Sequence, residues 1–260
     1  MNALFVAWRP PTPETAGWRP VGRLEHDGRL YRFCYTRGAL QRGFRPFSRM
    51  DKLEQVYESE ALFPLFANRL LSQSRPEYEA YLRWSGFEIE NPPDPIMVLG
   101  VTEGIRQTDA VEVFPCPMPD AENCYFNKFF LHGIRWLPAR AEARIASLQA
   151  GEALKLMLDL QNGHDPQAVA VRTETERTLI GYVPRYLAHD VWQLVQECEV
   201  AFIELSVDRV NQDAPLQNRV LCRMQACWPE GFRPCSGEDF LPIPADVPAQ
   251  CSPDRSVFTP

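Results

Sequence analysis

Three stretches, FFLHGIRW (129–136), LDLQNGHDPQAVAV (158–171) and LIGYVPRYLAHDV (179–191), decide how this chain reads. Each places a turn between apolar runs. YFNKFFLHGIRW (125–136) is a strand entering a turn. ALKLMLDL (153–160) alternates strictly, which puts Leu154, Leu156, Leu158 and Leu160 on one face of a strand. NGHDP (162–166) is a turn, because Asn, Gly and Asp all suit turn geometry. AVAV (168–171) and TLIGYV (178–183) follow as short strands. RAEARIASLQAG (140–151) is a short helix stopped by Gly151. RYLAHDVWQLVQEC (185–198) is a second helix, with Leu187, Val191, Leu194, Val195 and Cys198 inward. VAFIELSVDRV (200–210) and NRVLCRMQACW (218–228) complete the strands. A strand-rich unit of this size predicts a small closed barrel, filled by side chains, whose ends bind ligands.

Outward from that unit the punctuation changes. The first fifty residues read as short strands, and GRLYRFCYTRG (28–38) alternates between glycines. Leu62, Phe63, Phe66 and Leu70 form one helical stripe. Ser74 and Glu77 match a capping box, with Tyr78, Tyr81, Leu82 and Ser85 on one face behind it and Gly86 as a stop. NPPDP (91–95) breaks the chain, and Asp94 caps a short helix with Pro95 in its first turn. VEVF (111–114) is a strand, and PCPMPDAEN (115–123) reads as a linker. Residues 229–260 carry seven prolines and read as an irregular tail, packed loosely or crossing back over the N-terminal domain. The expected fold is α+β: a strand-plus-helix domain over 1–115, a linker over 116–122, an OB-like β-barrel with two helices over 123–228, and a Pro-rich tail over 229–260.

Composition narrows the class. The 260 residues are 45% hydrophobic and 23% charged, which excludes disordered, fibrous and small disulfide-rich classes. No apolar run approaches the roughly 20 residues of a membrane span, so no membrane partner is expected. The opening MNALFVAWRPP lacks the pattern of a secretion signal. Net charge is −7, which excludes a nonspecific nucleic-acid coat over the whole surface. Residues 1–50 nevertheless hold nine arginines against three acids, a net +6, so the remaining 210 residues carry −13. Interleaved with those arginines stand Trp8, Trp18, Tyr31, Phe33, Tyr35, Phe44 and Phe47, which could stack bases or could line an acid-paired sheet. The eight cysteines lack a CxxC pair, so no metal is expected. All eight read as reduced thiols of a cytoplasmic protein.

Chemistry-bearing motifs are scarce. GxSxG, GxxxxGK[ST], GxGxxG and HExxH are absent, and the four histidines lie far apart in sequence. No nucleophile–base–orienter set emerges, so the expected role is non-enzymatic, needs no cofactor, and leaves a small hydrolase as the least favoured class.

The three opening stretches resemble a HIRAN domain over about residues 125–228. Gly133, Ile134, Arg135 and Trp136 match its first turn. Asn162, His164, Asp165, Ala168 and Val169 match its second. Gly181, Tyr182, Val183, Pro184 and Arg185 match its third, in the same order and spacing. The family occurs at the front of helicase-like transcription factor and related fork-remodelling translocases, and alone in many bacterial proteins. The resemblance implies a modified OB-type barrel that captures the 3′ end of single-stranded DNA.

Each position suits such a task on its own chemistry. A terminal base needs flat surfaces, which Trp136 and the His164 ring supply. A 3′-hydroxyl needs an acceptor, and Asp165 also repels a continuing phosphate. Phosphates need donors: Arg185 first, with Tyr182 and the amides of the Gly163 turn beside it, and Arg135 is counted with the DNA-binding residues. Asn162 can bond a base edge or brace its own turn. The departure from the family is His164, which offers less stacking area than a tyrosine. Residues 125–210 carry nine basic and eleven acidic side chains, which fits a small end-reading pocket better than a long basic groove.

A fainter resemblance covers residues 57–87, whose S-x-x-L-F-P-x-F and S-R-P-x-Y runs are similar to bacterial HipA-like N-terminal regions. It implies a scaffold or partner-binding role, since no kinase loops occur in the chain. The expected function is a bacterial adaptor for single-stranded DNA 3′ ends or stalled-fork and repair intermediates, serving a separate helicase or nuclease. The alternative is a protein-interaction scaffold in which the barrel is structural.

Overall fold

A computed structural model describes residues 3–10, 17–91, 93–106 and 108–249. Glu14, Cys251 and the last eleven residues of the expected tail lie outside the described residues. The chain forms two compact units, one from the described parts of 1–71, 94–118 and 233–260, the other from 72–93 and 119–232.

The first unit is built on five antiparallel strands, β1 (Ala3–Trp8), β2 (Arg19–His26), β3 (Tyr31–Tyr35), β4 (Tyr57–Ser59) and β5 (Val111–Pro115). Their order is β4-β3-β2-β1-β5. The helical stripe expected over 62–70 shrinks to one turn, α1 (Pro64–Ala67), with Phe66 buried against Phe33. The expected capping box does not form. Helix α2 (Tyr78–Trp84) starts after Glu77, while the Ser74 hydroxyl pairs with that of Ser72. Helix α3 (Pro95–Thr102) begins as expected, with Asp94 accepting from the Ile96 amide at 2.8 Å.

Four of the nine arginines in residues 1–50 are acid-paired. Arg19 meets Asp239, Arg23 meets Glu25, Arg32 meets Asp27 and Glu58, and Arg37 meets Glu238. Phe33 and Tyr35 are buried in the core, with Phe44 and Phe47 packed against it. The Tyr35 hydroxyl, pushed up to about 12 chiefly by burial, donates to the Met50 carbonyl at 2.6 Å.

This division departs from the expected boundaries in two places. Residues 72–93 group with the barrel, because Asn211 donates to the Trp84 carbonyl and Asp213 receives both Trp84 and Arg83. The HipA-like stretch therefore falls in both units. From Arg233 on, the described part of the tail completes the first unit. Ile243 donates to the Tyr35 carbonyl, and the Phe240 ring stands edge-on to Phe5 at 4.9 Å. That crossing back was one of the two expected dispositions.

The second unit is a curled six-stranded antiparallel sheet. Its strands are β6 (Cys124–Phe130), β7 (Ala153–Leu158), β8 (Val169–Thr173), β9 (Leu179–Tyr182), β10 (Glu204–Val210) and β11 (Val220–Cys227). They run in the order β6-β11-β10-β7-β8-β9. His132, two residues beyond β6, then exchanges both backbone hydrogen bonds with Tyr182 at the end of β9, at 2.9 and 3.0 Å. The two edges of the sheet thereby meet, which removes exposed ladder groups. Inside lie Tyr125, Phe129, Leu154, Val171, Ile180 and Met224. Helices α4 (Ala139–Ala146) and α5 (Arg185–Glu197) add Ile145, Leu187, Val191 and Leu194 to that core. Leu160, expected on the buried face of β7, lies beyond the strand end and is 74% exposed.

The cysteine reading is corrected at one pair. Cys198, at the C-terminal cap of α5, and Cys227, ending β11, form a disulfide with Cα atoms 6.4 Å apart. A separation of 29 residues hid that proximity in the sequence. Cys34, Cys116, Cys124, Cys222 and Cys235 are free thiols. Burial pushes the Cys222 thiol up, so it stays protonated. Among the described residues no helix is long and apolar enough to cross a membrane.

Two predictions follow from this packing. At Gly181 the backbone φ is +155°, and a Cβ would sit 3.0 Å from both the His132 carbonyl oxygen and Leu131 Cβ. Gly181→Val is therefore expected to lower stability by about 1–3 kcal/mol in urea unfolding. Gly163→Ala, with nothing within 4 Å, should stay within about 0.5 kcal/mol of the parent. Reductant should lower the unfolding free energy by about 3 kcal/mol through the Cys198–Cys227 loop, and Cys198→Ser should abolish that sensitivity.

Candidate nucleic-acid interface

The three turns singled out in the sequence converge on Tyr182. Its backbone pairs with His132, directly before the first turn. Its ring lies against Gly133, where a Cβ would approach Tyr182 Cδ2 to 3.1 Å and where φ is +75°. Glycine is thus required there on two grounds, space and backbone conformation. The Tyr182 hydroxyl donates to Asp159 Oδ2 at 3.1 Å, and the Asn162 side-chain amide donates to the same oxygen at 3.1 Å. Burial, then the bond to Asp159 and its charge, hold the Tyr182 hydroxyl above its ordinary range, with Asn162 acting the other way. It therefore remains a donor at neutral pH.

The first turn is a single 3-10 turn, Ile134–Trp136, closed by the Trp136 amide on the Gly133 carbonyl at 3.0 Å. It buries Ile134 and turns Trp136 outward, 77% exposed. The Arg135 guanidinium lies 4.7 Å from the centre of the Trp136 ring, a cation–π contact. That contact occupies one face of the indole and leaves the other for a flat ligand.

In the second turn Asn162 takes the bracing role of the two its sequence allowed. Its Oδ1 accepts from the His164 amide at 3.0 Å and the Asp165 amide at 3.1 Å. His164 is exposed at the tip. Asp165 turns inward: Oδ1 accepts from the Gln167 amide at 3.0 Å, and Oδ2 faces Arg185 Nε at 3.2 Å. The side chains of Arg185 and Asp165 are 35% and 18% exposed. The expected hydroxyl acceptor and phosphate donor are thus an ion pair. A carboxylate has about four acceptor sites and a guanidinium five donors, so this one contact uses only part of either group.

The seven side chains named from the sequence lie on these three turns, and two of their partners were not among them. Asp159 is the acceptor that ties Tyr182 to Asn162. Its position outward of an alternating strand was the signal for it. Gln167 pairs with His189 Nδ1 of α5 at 3.1 Å, which joins the second turn to that helix. Among the described residues no group of three or more His, Cys, Asp or Glu side chains could hold a metal ion.

Comparison with known proteins bears on the same region. The HIRAN domain family model matches residues 126–225. No curated protein matches the chain. Among solved structures, a protein from Lactobacillus plantarum, structural genomics target LpR91B, is similar at 17% identity and a TM-score of 0.31, over 40% of this chain and 98% of that one. The HIRAN domain of human HLTF is similar at 14% identity and a TM-score of 0.31, over 41% of this chain and 81% of that one. The region that carries the three turns, residues 126–225, matches the HIRAN domain family.

Proposed function

We propose that the barrel binds the 3′ end of single-stranded DNA, and that the chain is a non-enzymatic adaptor bringing such ends, at stalled forks or repair intermediates, to a separate helicase or nuclease. The family match supports nucleic-acid binding at a coarse level. The finer reading rests on one observation, the convergence on Tyr182 of three turns that bear an exposed indole and a carboxylate–guanidinium pair. In this reading the terminal base stacks on the open face of Trp136, with His164 across from it. The Asp165 carboxylate accepts the 3′-hydroxyl and repels a phosphate at that place. Arg185, oriented by Asp165, takes the adjoining phosphate. The scaffold alternative calls for an exposed apolar stripe over residues 59–85. Among the described residues there, no large apolar side chain is exposed.

Fluorescence anisotropy with short oligonucleotides ending in 3′-hydroxyl or 3′-phosphate, at two salt concentrations, tests the reading. Trp136→Ala is expected to weaken every free 3′ end by about 1–3 kcal/mol. Asp165→Asn keeps the shape of the turn and should lose the preference for hydroxyl over phosphate. Arg185→Ala should weaken binding and lower the salt slope by about 0.7. Equal wild-type affinity for both ends, or no binding at low salt, would overturn the proposal.

A further inference from the structure

The barrel face that carries Tyr182 and Asp159 extends beyond them. Side chains alternate along a strand, so Asp159 shares its outward face with Met157 and Lys155. The strand register carries that face sideways: Met157 stands opposite Ala170, and Ala170 opposite Tyr182. Lys155 stands opposite Arg172. Successive positions on one face of a strand are about 6.8 Å apart. The face therefore runs in even steps from the Tyr182–Asp159 hydrogen bond, past Met157, to two cations.

Two features of this face serve nothing inside the barrel. Met157 is 43% exposed although it sits within a paired strand. Lys155 and Arg172 oppose like charges directly across a strand pair, which destabilises a sheet unless an anion is near. Glu174 meets Lys155 at 3.1 Å. Arg172 Nη1 is held by the neutral carbonyls of Thr173 and Glu174, at 2.9 and 3.4 Å. A polarizable thioether flanked by cations along one line suits a chain of alternating aromatic rings and phosphates.

We propose that this face is a track for the strand leading up to the bound end: Met157 receives the third base from the 3′ end, and Lys155 and Arg172 receive the phosphates beyond it. The ligand class is single-stranded nucleic acid several nucleotides long, and the proposal rests on the end-binding reading above. Met157 is the residue that makes affinity depend on length.

The test is anisotropy with 5′-fluorescein oligothymidylates of two, four and six nucleotides, all ending in 3′-hydroxyl. Wild-type affinity should rise about tenfold from the dimer to the hexamer, one further stacked base being worth that factor. Met157→Ala should weaken the hexamer about fivefold more than the dimer. Lys155→Gln with Arg172→Gln should shrink the gain with length and lower the hexamer's salt slope by about 1.4, two phosphates' worth. Urea midpoints matching the wild type establish that both variants fold. Equal wild-type binding of dimer and hexamer, or variants that keep the length gain, would overturn the track and leave end binding standing. Failure of the wild type to bind any of these oligonucleotides would overturn both.

Discussion

The pair of backbone hydrogen bonds between His132 and Tyr182 is the constraint on which the second unit depends. A six-stranded antiparallel sheet leaves two edges, here β6 and β9, and unpaired edge groups are costly to bury and hazardous to expose. Joining them converts an open sheet into a closed wall with one interior. The closure also brings the Gly133 turn against the Tyr182 ring, while the Tyr182 hydroxyl reaches Asp159 at the far side of β8. One residue thus seals the barrel and gathers the three turns of the candidate site. Gly181 is the local condition for this, since a side chain there would press on the His132 carbonyl oxygen.

The electrostatics of the region follow from this geometry. The seven candidate residues and Asp159 include two cations and two carboxylates. Arg185 is paired with Asp165, and Asp159 takes two neutral donors. Such a site cannot bind nucleic acid by charge alone, because affinity from counterion release scales with the number of phosphates neutralised. Shape and stacking must therefore carry part of any such binding. An exposed indole already backed by a guanidinium is suited to that, since the cation restricts the ring and leaves one face open. The arginine-rich first fifty residues look in the sequence like a better phosphate surface. In the fold, Arg19, Arg23, Arg32 and Arg37 each have an acidic partner.

What was legible in the sequence was local. The strands of the barrel, both its helices, and the Asp94 cap are encoded in short-range periodicity and turn chemistry. The seven candidate residues could be named because the three turns keep their order and spacing. What escaped depends on contacts between distant parts of the chain. Residues 72–93 read as part of the N-terminal domain, since nothing local announces that Asn211 and Asp213 will hold Trp84 and Arg83. The tail reads as irregular, yet Phe240 and Ile243 are fixed by Phe5 and Tyr35 more than two hundred positions away. Ser74 and Glu77 match a capping pattern that does not form: the helix starts after Glu77, and the Ser74 hydroxyl pairs with that of Ser72. Cys198 and Cys227 meet only because α5 ends beside the end of β11.

The central claim is that closure through Tyr182 assembles a site for a nucleic-acid end from the three turns. Backbone amide and Trp136 indole NMR signals, followed during titration with a 3′-hydroxyl oligothymidylate, test it most directly. The account predicts that the largest shifts fall at residues 133–136, 162–167 and 181–185, together with the Trp136 indole, and that the five-stranded sheet of the first unit stays silent. Shifts concentrated on the arginine-bearing strands of that first unit, or no shifts at all, would contradict it.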